Sequence, residues 1–325
     1  MSDDASRGVL WHTAPRLDTP SPHPIQDAAA VELTAVVVAV TGEEPRVLSL
    51  QEGRALPSGP LESAHRTLQM GLRSWVERQT HHPLGYIEQL YTFADRDRGD
   101  TRGRIISISY LGLTREAEAP AGREEGRWQN WYRYFPWEDW RSGPPPALAA
   151  VRRQLRQWAK TAPEPAARRD RLRRVDIGFG DDQGWNEELV LQRYELLYEA
   201  GLVAEAGARD SRALPGESMI LDHRRILATA IARLRAKIKY RPVVFELMPE
   251  SFTLLQLQRA VEALAGRRLH KQNFRRLIDQ QGLVEETGKI AAGTGGRPAK
   301  LFHFRREVLL ERAVAGTKLP LSRSA

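Results

Sequence analysis

Between positions 270 and 276 the chain reads His-Lys-Gln-Asn-Phe-Arg-Arg, a run of amides and cations around one large apolar side chain. Arginine matches the O6/N7 edge of guanine, and Asn or Gln the N6/N7 edge of adenine, so these residue types on one helix can read bases in a major groove. The spacing permits it. Phe274, Leu277, Ile278 and Gln281 fall at i, i+3, i+4 and i+7 and predict a buried face. Gln272 and Arg276 point away from that face, and Asn273 and Arg275 lie on its flanks. His270 and Lys271 join Asn273 in the first turn, the part of a recognition helix that usually enters the groove. A second group of cations, Lys289, Arg297 and Lys300, brackets the stretch GKIAAGTGGRPAK and suits phosphate oxygens. Its Gly293, Gly295 and Gly296 allow a tight loop and a close backbone approach. The G-x4-G-K-[ST] spacing of a nucleotide-cradling loop is absent there. A basic helix face alone is more often solvated surface than a nucleic-acid contact, so the weight falls on the elements around it.

Those elements have a recognisable order from Leu254 to Phe304. LLQLQRAVEALAG reads as a short helix, RRLHKQNFRRLIDQQG as a turn and a second helix, and LVEET with KLFHF as a hairpin around the glycine-rich loop. That is the plan of a winged helix-turn-helix. From Leu254 to Arg312 there are twelve Lys/Arg and six Asp/Glu, against a net charge of +8 for all 325 residues. Positive charge is thus concentrated where the motif predicts double-stranded DNA as partner. A basic winged helix also suits RNA, which remains a rival reading.

The carboxylates tell a different story. Val31–Val40 is a β-branched run that predicts a buried strand, followed by the turn TGEEP and the partner RVLSLQ. A helix is expected from about Ser63 to Gln79 with Leu68, Leu72, Trp75 and Val76 inward. Two further strands are expected over Tyr86–Phe93 and Arg104–Leu113. This order resembles a Nudix domain, whose box is G-x5-E-x7-R-E-U-x-E-E-x-G-U with U bulky and apolar. Gly59, Arg73, Trp75 and Glu77 match. His65, Ser74, Arg78 and Thr80 stand where the family has Glu, Glu, Glu and Gly. Nudix hydrolysis uses clustered carboxylates to hold Mg²⁺ against a pyrophosphate, because a hard cation takes several oxygen ligands. One helix carboxylate with an arginine beside it cannot do that, so no catalytic residue and no metal site are assigned.

A degenerate Nudix domain followed by a winged helix resembles the bacterial Nudix-related transcriptional regulators of NAD metabolism, the NrtR and NadQ type. The likeness rests on PLGYIEQLYTFADRDRGDTRGRIISISYLGL, on the stretch from LDHRRILATAIARLRAKIKYRP to LIDQQGLVEETG, and on GRPAKLF. It implies an α+β fold: a Nudix-like α/β/α sandwich with a mixed sheet, then a helical extension and a C-terminal winged helix. It implies a dimeric repressor of NAD biosynthesis genes that binds an operator duplex and needs no cofactor. The Nudix-like domain would sense a nucleotide effector such as NAD, ADP-ribose or ATP. The contacts expected for that effector are Arg73 and Glu77 on the box helix, with Tyr91, Phe93, Asp97 and Arg102 on the long hairpin. The rival from the enzyme class is a pyrophosphohydrolase of ADP-ribose or a related dinucleotide.

Composition sets the remaining bounds. With 41% apolar residues the chain can build sizeable cores, and no apolar run approaches the length of a membrane span. There is no cysteine, which excludes disulfides and thiolate chemistry and fits a reducing cytoplasm. The expected organisation is an arm at 1–27, the Nudix-like domain at 28–145, a helical extension at 146–220, the connecting helix and winged helix at 221–313, and a tail at 314–325. Four of the eight tryptophans, Trp128, Trp131, Trp137 and Trp140, fall in one segment expected to pack over the sheet. The extension is expected to hold a basic amphipathic helix at Ala147–Lys160 and another at Glu187–Glu205, and to serve dimerisation. The connecting helix, Leu221–Tyr240, carries Arg224, Arg225, Arg233, Arg235, Lys237 and Lys239. Those cations suit either DNA phosphates or a structural role.

Overall fold

The computed structural model describes residues 29–94, 105–116, 126–180, 184–207, 214–291, 298–305 and 307. The arm at 1–27, the tail at 314–325, and Asp97, Arg102 and Arg297 lie outside the described residues.

The β-branched run forms the central strand β1, Ala30–Thr41. Gly42 and Glu43 both adopt positive φ, the backbone of a two-residue hairpin turn, and return the chain as β2, Glu44–Ser49. β3, Ser58–Pro60, pairs antiparallel with the start of β1. β5, Ile105–Leu113, runs parallel to β1, with β4, Tyr86–Phe93, antiparallel outside it. β6, Arg127–Asn130, closes the other edge beside β2. The order is β4-β5-β1-β2-β6, with β3 also on β1.

Alternation along β1 divides the core in two. Leu33, Ala35 and Val37 pack with Leu72 and Val76 of α1, Leu68–Thr80. Val36 and Val38 face the opposite side and join Leu111, Leu113 and the apolar stripe Ile226, Ile231 and Leu234 of α5, His223–Lys237. Helix, mixed sheet and helix make the expected three layers. α1 starts at Leu68, the first residue of its apolar stripe, and not at the expected Ser63, because Thr67 caps it, its side chain accepting from the Met70 N–H.

Among the described residues the extension holds three α-helices: α2, Ala147–Lys160, α3, Pro165–Phe179, and α4, Val190–Glu199. Periodicity located α2 to the residue and missed α3, whose sequence is too charged to show an apolar stripe. α4 is shorter than expected; the chain leaves it through Gly201, which sits at φ 65°. The tryptophan segment is core: Trp131 and Trp137 are fully buried, and Arg193 reaches Glu138 between them and α4.

The connecting helix departs most from a bridging helix with basic faces. Arg224, Arg235 and Lys237 are buried. Arg235 donates to Glu138 Oε2 at 2.7 Å, to the Glu187 carbonyl at 3.0 Å and to the Leu264 carbonyl at 2.8 Å. Arg193 meets the same carboxylate at 2.6 and 2.8 Å and stacks on Trp185. Arg224 bonds the Tyr134 carbonyl and Glu205, and Lys237 bonds Glu88 on β4. These cations are structural, because α5 is surrounded by the sheet, α4 and the helix α6, Leu254–Ala265. Among the described residues no helix is long and apolar enough to cross a membrane.

Candidate nucleic-acid interface

The predicted helix-turn-helix is α6, Leu254–Ala265, and α7, Lys271–Gln281. A reciprocal capping box opens α6: Thr253 accepts from the Gln256 N–H, and the Gln256 side chain accepts from the Thr253 N–H. Gly266 ends it at φ 72°, where a Cβ would press on the Glu138 carbonyl and Arg235. The turn between the helices is held by Glu262, a residue the sequence reading did not single out. Its Oε1 accepts from the Leu269 N–H and Gln258 at 2.9 Å, and its Oε2 from Arg268 and Arg259 at 2.8 and 3.0 Å. Burial pushes this carboxyl up, but those four donors together outweigh it and hold the group below the usual carboxylate range.

On α7, Phe274 and Ile278 are buried and fasten the helix to α6, about 1.5–3 kcal/mol of apolar burial each. Leu277 and Gln281 were expected on the same face and are exposed. A helix this short touches its neighbour along one i, i+4 pair, and Leu277 instead borders a cavity of about 290 Å³ shared with Val261 and Leu269. His270, Lys271, Gln272, Asn273, Arg275 and Arg276 are all exposed. Among the described residues none of their side chains is held by a hydrogen bond or ion pair, so the polar face is free to meet a ligand.

The wing is β7, Val284–Ala291, and β8, Ala299–Phe304. Phe252 pairs with Phe302 through two backbone hydrogen bonds, and Phe245 stacks on Phe304 at 4.2 Å, which fixes the hairpin beside α6. Lys289 is exposed. Lys300, expected to meet phosphate, is exposed but closes an ion pair with Glu286 at 2.8 Å.

The effector residues are brought together only in part. Gly59 lies against the Trp75 ring, where a Cβ would clash at 2.2 Å, so two of the matched box positions depend on each other. The Arg73 guanidinium donates to the carbonyls of Leu84 and Gly85. Glu77 is exposed nearby on α1. Phe93 is buried on the opposite face of the sheet, where Arg225 covers its ring, and Tyr91 is exposed with its ring edge-on to Phe93 at 5.1 Å. Arg73 and Glu77 therefore do not share one pocket with Phe93, contrary to the expected set. Strand alternation, with a bulge between Gln89 and Thr92, sends the side chains to different faces. Where hydrolases of the family have glutamates, His65 and Arg78 both approach Glu62, at 3.6 Å each, and Arg78 covers the Trp75 ring. Among the described residues no group of three or more His, Asp or Glu is arranged to hold a metal ion.

Residues 244–304 match the family model of the NrtR DNA-binding winged helix domain. The likeness is confined to this segment. The matched segment thus begins at the short 3-10 turn Val243–Leu247, takes in α6 and α7, and ends with β8. The chain is 43% identical over 88 residues to the ADPR responsive transcriptional repressor NtrR of Acinetobacter baylyi. That match covers 26% of this chain and about a third (34%) of the relative's length. In fold the chain is similar to Shewanella oneidensis NrtR crystallised with a 27mer DNA, at TM-score 0.53 and 20% identity, covering 86% of this chain and 94% of that one. It is also similar to a MutT/nudix family protein from Enterococcus faecalis, at TM-score 0.52 and 16% identity, covering 87% and 89%. At those identities the structural likenesses establish the fold: a Nudix-like sheet joined to a winged helix.

Proposed function

We propose that this protein is a DNA-binding transcriptional repressor whose NrtR-type winged helix reads an operator duplex. The observation that carries it is the unpartnered face of α7, with Gln272, Asn273, Arg275 and Arg276 exposed on a helix whose other side is fixed by Phe274 and Ile278. His270 and Lys271 open that face, and Lys289, Arg297 and Lys300 of the wing supply phosphate contacts, Lys300 by exchanging Glu286 for a phosphate.

The Nudix-like domain then serves as the sensor. Its effector is a nucleotide, ADP-ribose first among NAD, ADP-ribose and ATP, as the relative's description suggests. Replacement of box glutamates by His65, Ser74 and Arg78 removes the oxygen ligands a magnesium ion would need, which supports binding of a pyrophosphate without hydrolysis. Glu77, Tyr91, Asp97 and Arg102 remain candidate contacts, and the regulated genes are those of NAD biosynthesis. The protein acts as a homodimer in this reading, and the effector shifts affinity by binding one dimer geometry better than the other.

The test is selection of binding duplexes from a random pool, followed by titration of the selected and a scrambled duplex with and without ADP-ribose. A dimeric repressor selects two half-sites about one helical turn, 10 base pairs, apart or a multiple of it. Equal affinity for selected and scrambled duplex defeats the reading.

A further inference from the structure

The winged helix is not the only concentration of positive charge. Residues 147–180 contain nine Lys/Arg and three Asp/Glu, a net of +6 on two short helices. The buried side of α2 is Leu148, Val151, Leu155 and Ala159. Arg153, Arg156 and Lys160 repeat at i, i+3 and i+7, a stripe about 60° wide at 3.6 residues per turn, well away from that apolar side. All three are exposed. Arg168 and Arg169 follow on the first turns of α3, also exposed, just across the short connection from Lys160. Among the described residues none of these five side chains is held by a hydrogen bond or ion pair. The other cations nearby are engaged: Arg171 lies over Trp158 at 4.2 Å, Arg173 pairs with Asp170, and Arg174 with Glu199.

The placement works against the fold's own electrostatics. α3 has one carboxylate at its start, the N-cap Glu164, and none in its first turn. Two arginines near the positive end of its dipole, with a lysine of α2 close by, outnumber that single carboxylate. Such a cluster costs stability in the free protein and is relieved by an anion. Five cations spread along about 10 Å of α2, from Arg153 to Lys160 at 1.5 Å per residue, and into α3 do not converge on one small anion. They match a polymer with a charge every few ångströms.

We propose that the α2–α3 helix pair is a second DNA-contacting surface, which binds the phosphate backbone without reading sequence and extends the footprint of the winged helix. The packing makes this mechanically sound. α3 is tied to α4 through Arg174 and Glu199, α4 to α5 through the Glu138 carboxylate shared by Arg193 and Arg235, and α5 to the end of α6 through the Leu264 carbonyl. The basic pair and the recognition helix thus ride on one packed unit. The choice of DNA as the polyanion rests on the proposed repressor function; the existence of the surface does not.

The experiment compares wild type with the variant Arg153→Gln, Arg156→Gln, Lys160→Gln, Arg168→Gln and Arg169→Gln. Glutamine is a good helix former at exposed positions, and circular dichroism melting checks that the fold is kept. Binding is read by fluorescence anisotropy from about 50 to about 200 mM salt, on mixed-sequence duplexes of about two and about four helical turns. Each lost phosphate contact flattens the slope of log K against log salt by about 0.9. The expected result is a slope flatter by about three on the longer duplex, with three of the five cations in contact, and a smaller change on the shorter one. The same five positions with Lys160 kept and the arginines changed to lysine retain the wild-type slope. A variant slope within about half a unit of wild type on the longer duplex overturns the proposal, and leaves an acidic protein or an anionic membrane surface as the partner to seek. The two readings fail separately. Loss of sequence discrimination with a patch-dependent slope defeats the repressor and keeps the surface; intact discrimination with an unchanged slope does the reverse.

Discussion

Replacing Glu138 with Gln removes the one carboxylate to which the side chains of both Arg193 and Arg235 bond. Arg193 and Arg235 are fully buried and Glu138 is 1% exposed. Both cations keep backbone acceptors: Asn186 for Arg193, and Leu264 and Glu187 for Arg235. Neither keeps a directly bonded carboxylate, and only the longer-range charges of Glu187 on Arg193 and Asp139 on Arg235 remain. Removing one partner of a buried ion pair costs about 3–5 kcal/mol, and a carboxylate that serves two cations belongs at the upper end, about 4–5 kcal/mol. That is a large share of a total stability of about 5–15 kcal/mol. With a urea m-value near 3 kcal/mol/M, the midpoint should fall by more than about 1 M. Urea unfolding followed by tryptophan fluorescence measures it, and Trp185, stacked on Arg193 at 3.8 Å, is a local reporter. The combined change Glu138→Leu, Arg193→Met and Arg235→Met should recover much of the loss, since an apolar replacement of a whole buried charge cluster is often close to neutral. Recovery should be incomplete, because the carbonyls of Leu264, Glu187 and Asn186 then lose their donors. A midpoint for Glu138→Gln within about 0.3 M of wild type would refute the reasoning. It would mean that water or a neighbouring group neutralises the guanidiniums.

Other outcomes follow from the same geometry. Arg276→Ala should lose about 1–3 kcal/mol on a selected duplex and relax discrimination at one base position, whereas Arg297→Ala should weaken all duplexes alike and flatten the salt slope by about one; titrations on selected and scrambled DNA separate the two. Glu262 titrates below the ordinary carboxylate value of 4.5 in the folded state. Its contribution is therefore present above that value and lost as pH falls through the lower folded pKa. Melting followed from pH 6 downward should show a loss of winged-helix stability that is absent in Glu262→Gln, and identical pH profiles would count against the clamp. Incubation with ADP-ribose and Mg²⁺ should give no turnover approaching about 1 s⁻¹; hydrolysis at that rate, abolished by Glu77→Gln, would restore the enzyme reading. Arg73→Ala should destabilise by about 1–3 kcal/mol through the lost bonds to Leu84 and Gly85, with a melting shift that appears in the absence of any nucleotide.

By itself the sequence determined the elements whose periodicity is strong. The β-branched run of β1 can only be a buried strand, and the i, i+4 pair Phe274 and Ile278 leaves the amides and guanidiniums of α7 outside. It also determined the loss of the Nudix carboxylates, because a substitution is visible without coordinates. What the tertiary structure decided is where charge ends up. A helix bearing Arg224, Arg235 and Lys237 reads as a solvated basic face, since periodicity registers apolar residues and not the distant Glu138, Glu205 and Glu88 that neutralise those cations. The reverse holds for α2 and α3, whose Arg153, Arg156, Lys160, Arg168 and Arg169 have no side-chain partner among the described residues, which only the placement of the described carboxylates reveals. Strand register set the effector face in the same way. A single bulge between Gln89 and Thr92 alters which side chains share a side of the sheet, and Phe93 packs against Arg225 of a helix more than a hundred residues later in the chain. Local pattern fixes an element because its energetics are local; the pairing of buried charges and the facing of side chains across a sheet are long-range, so only the assembled fold reveals them.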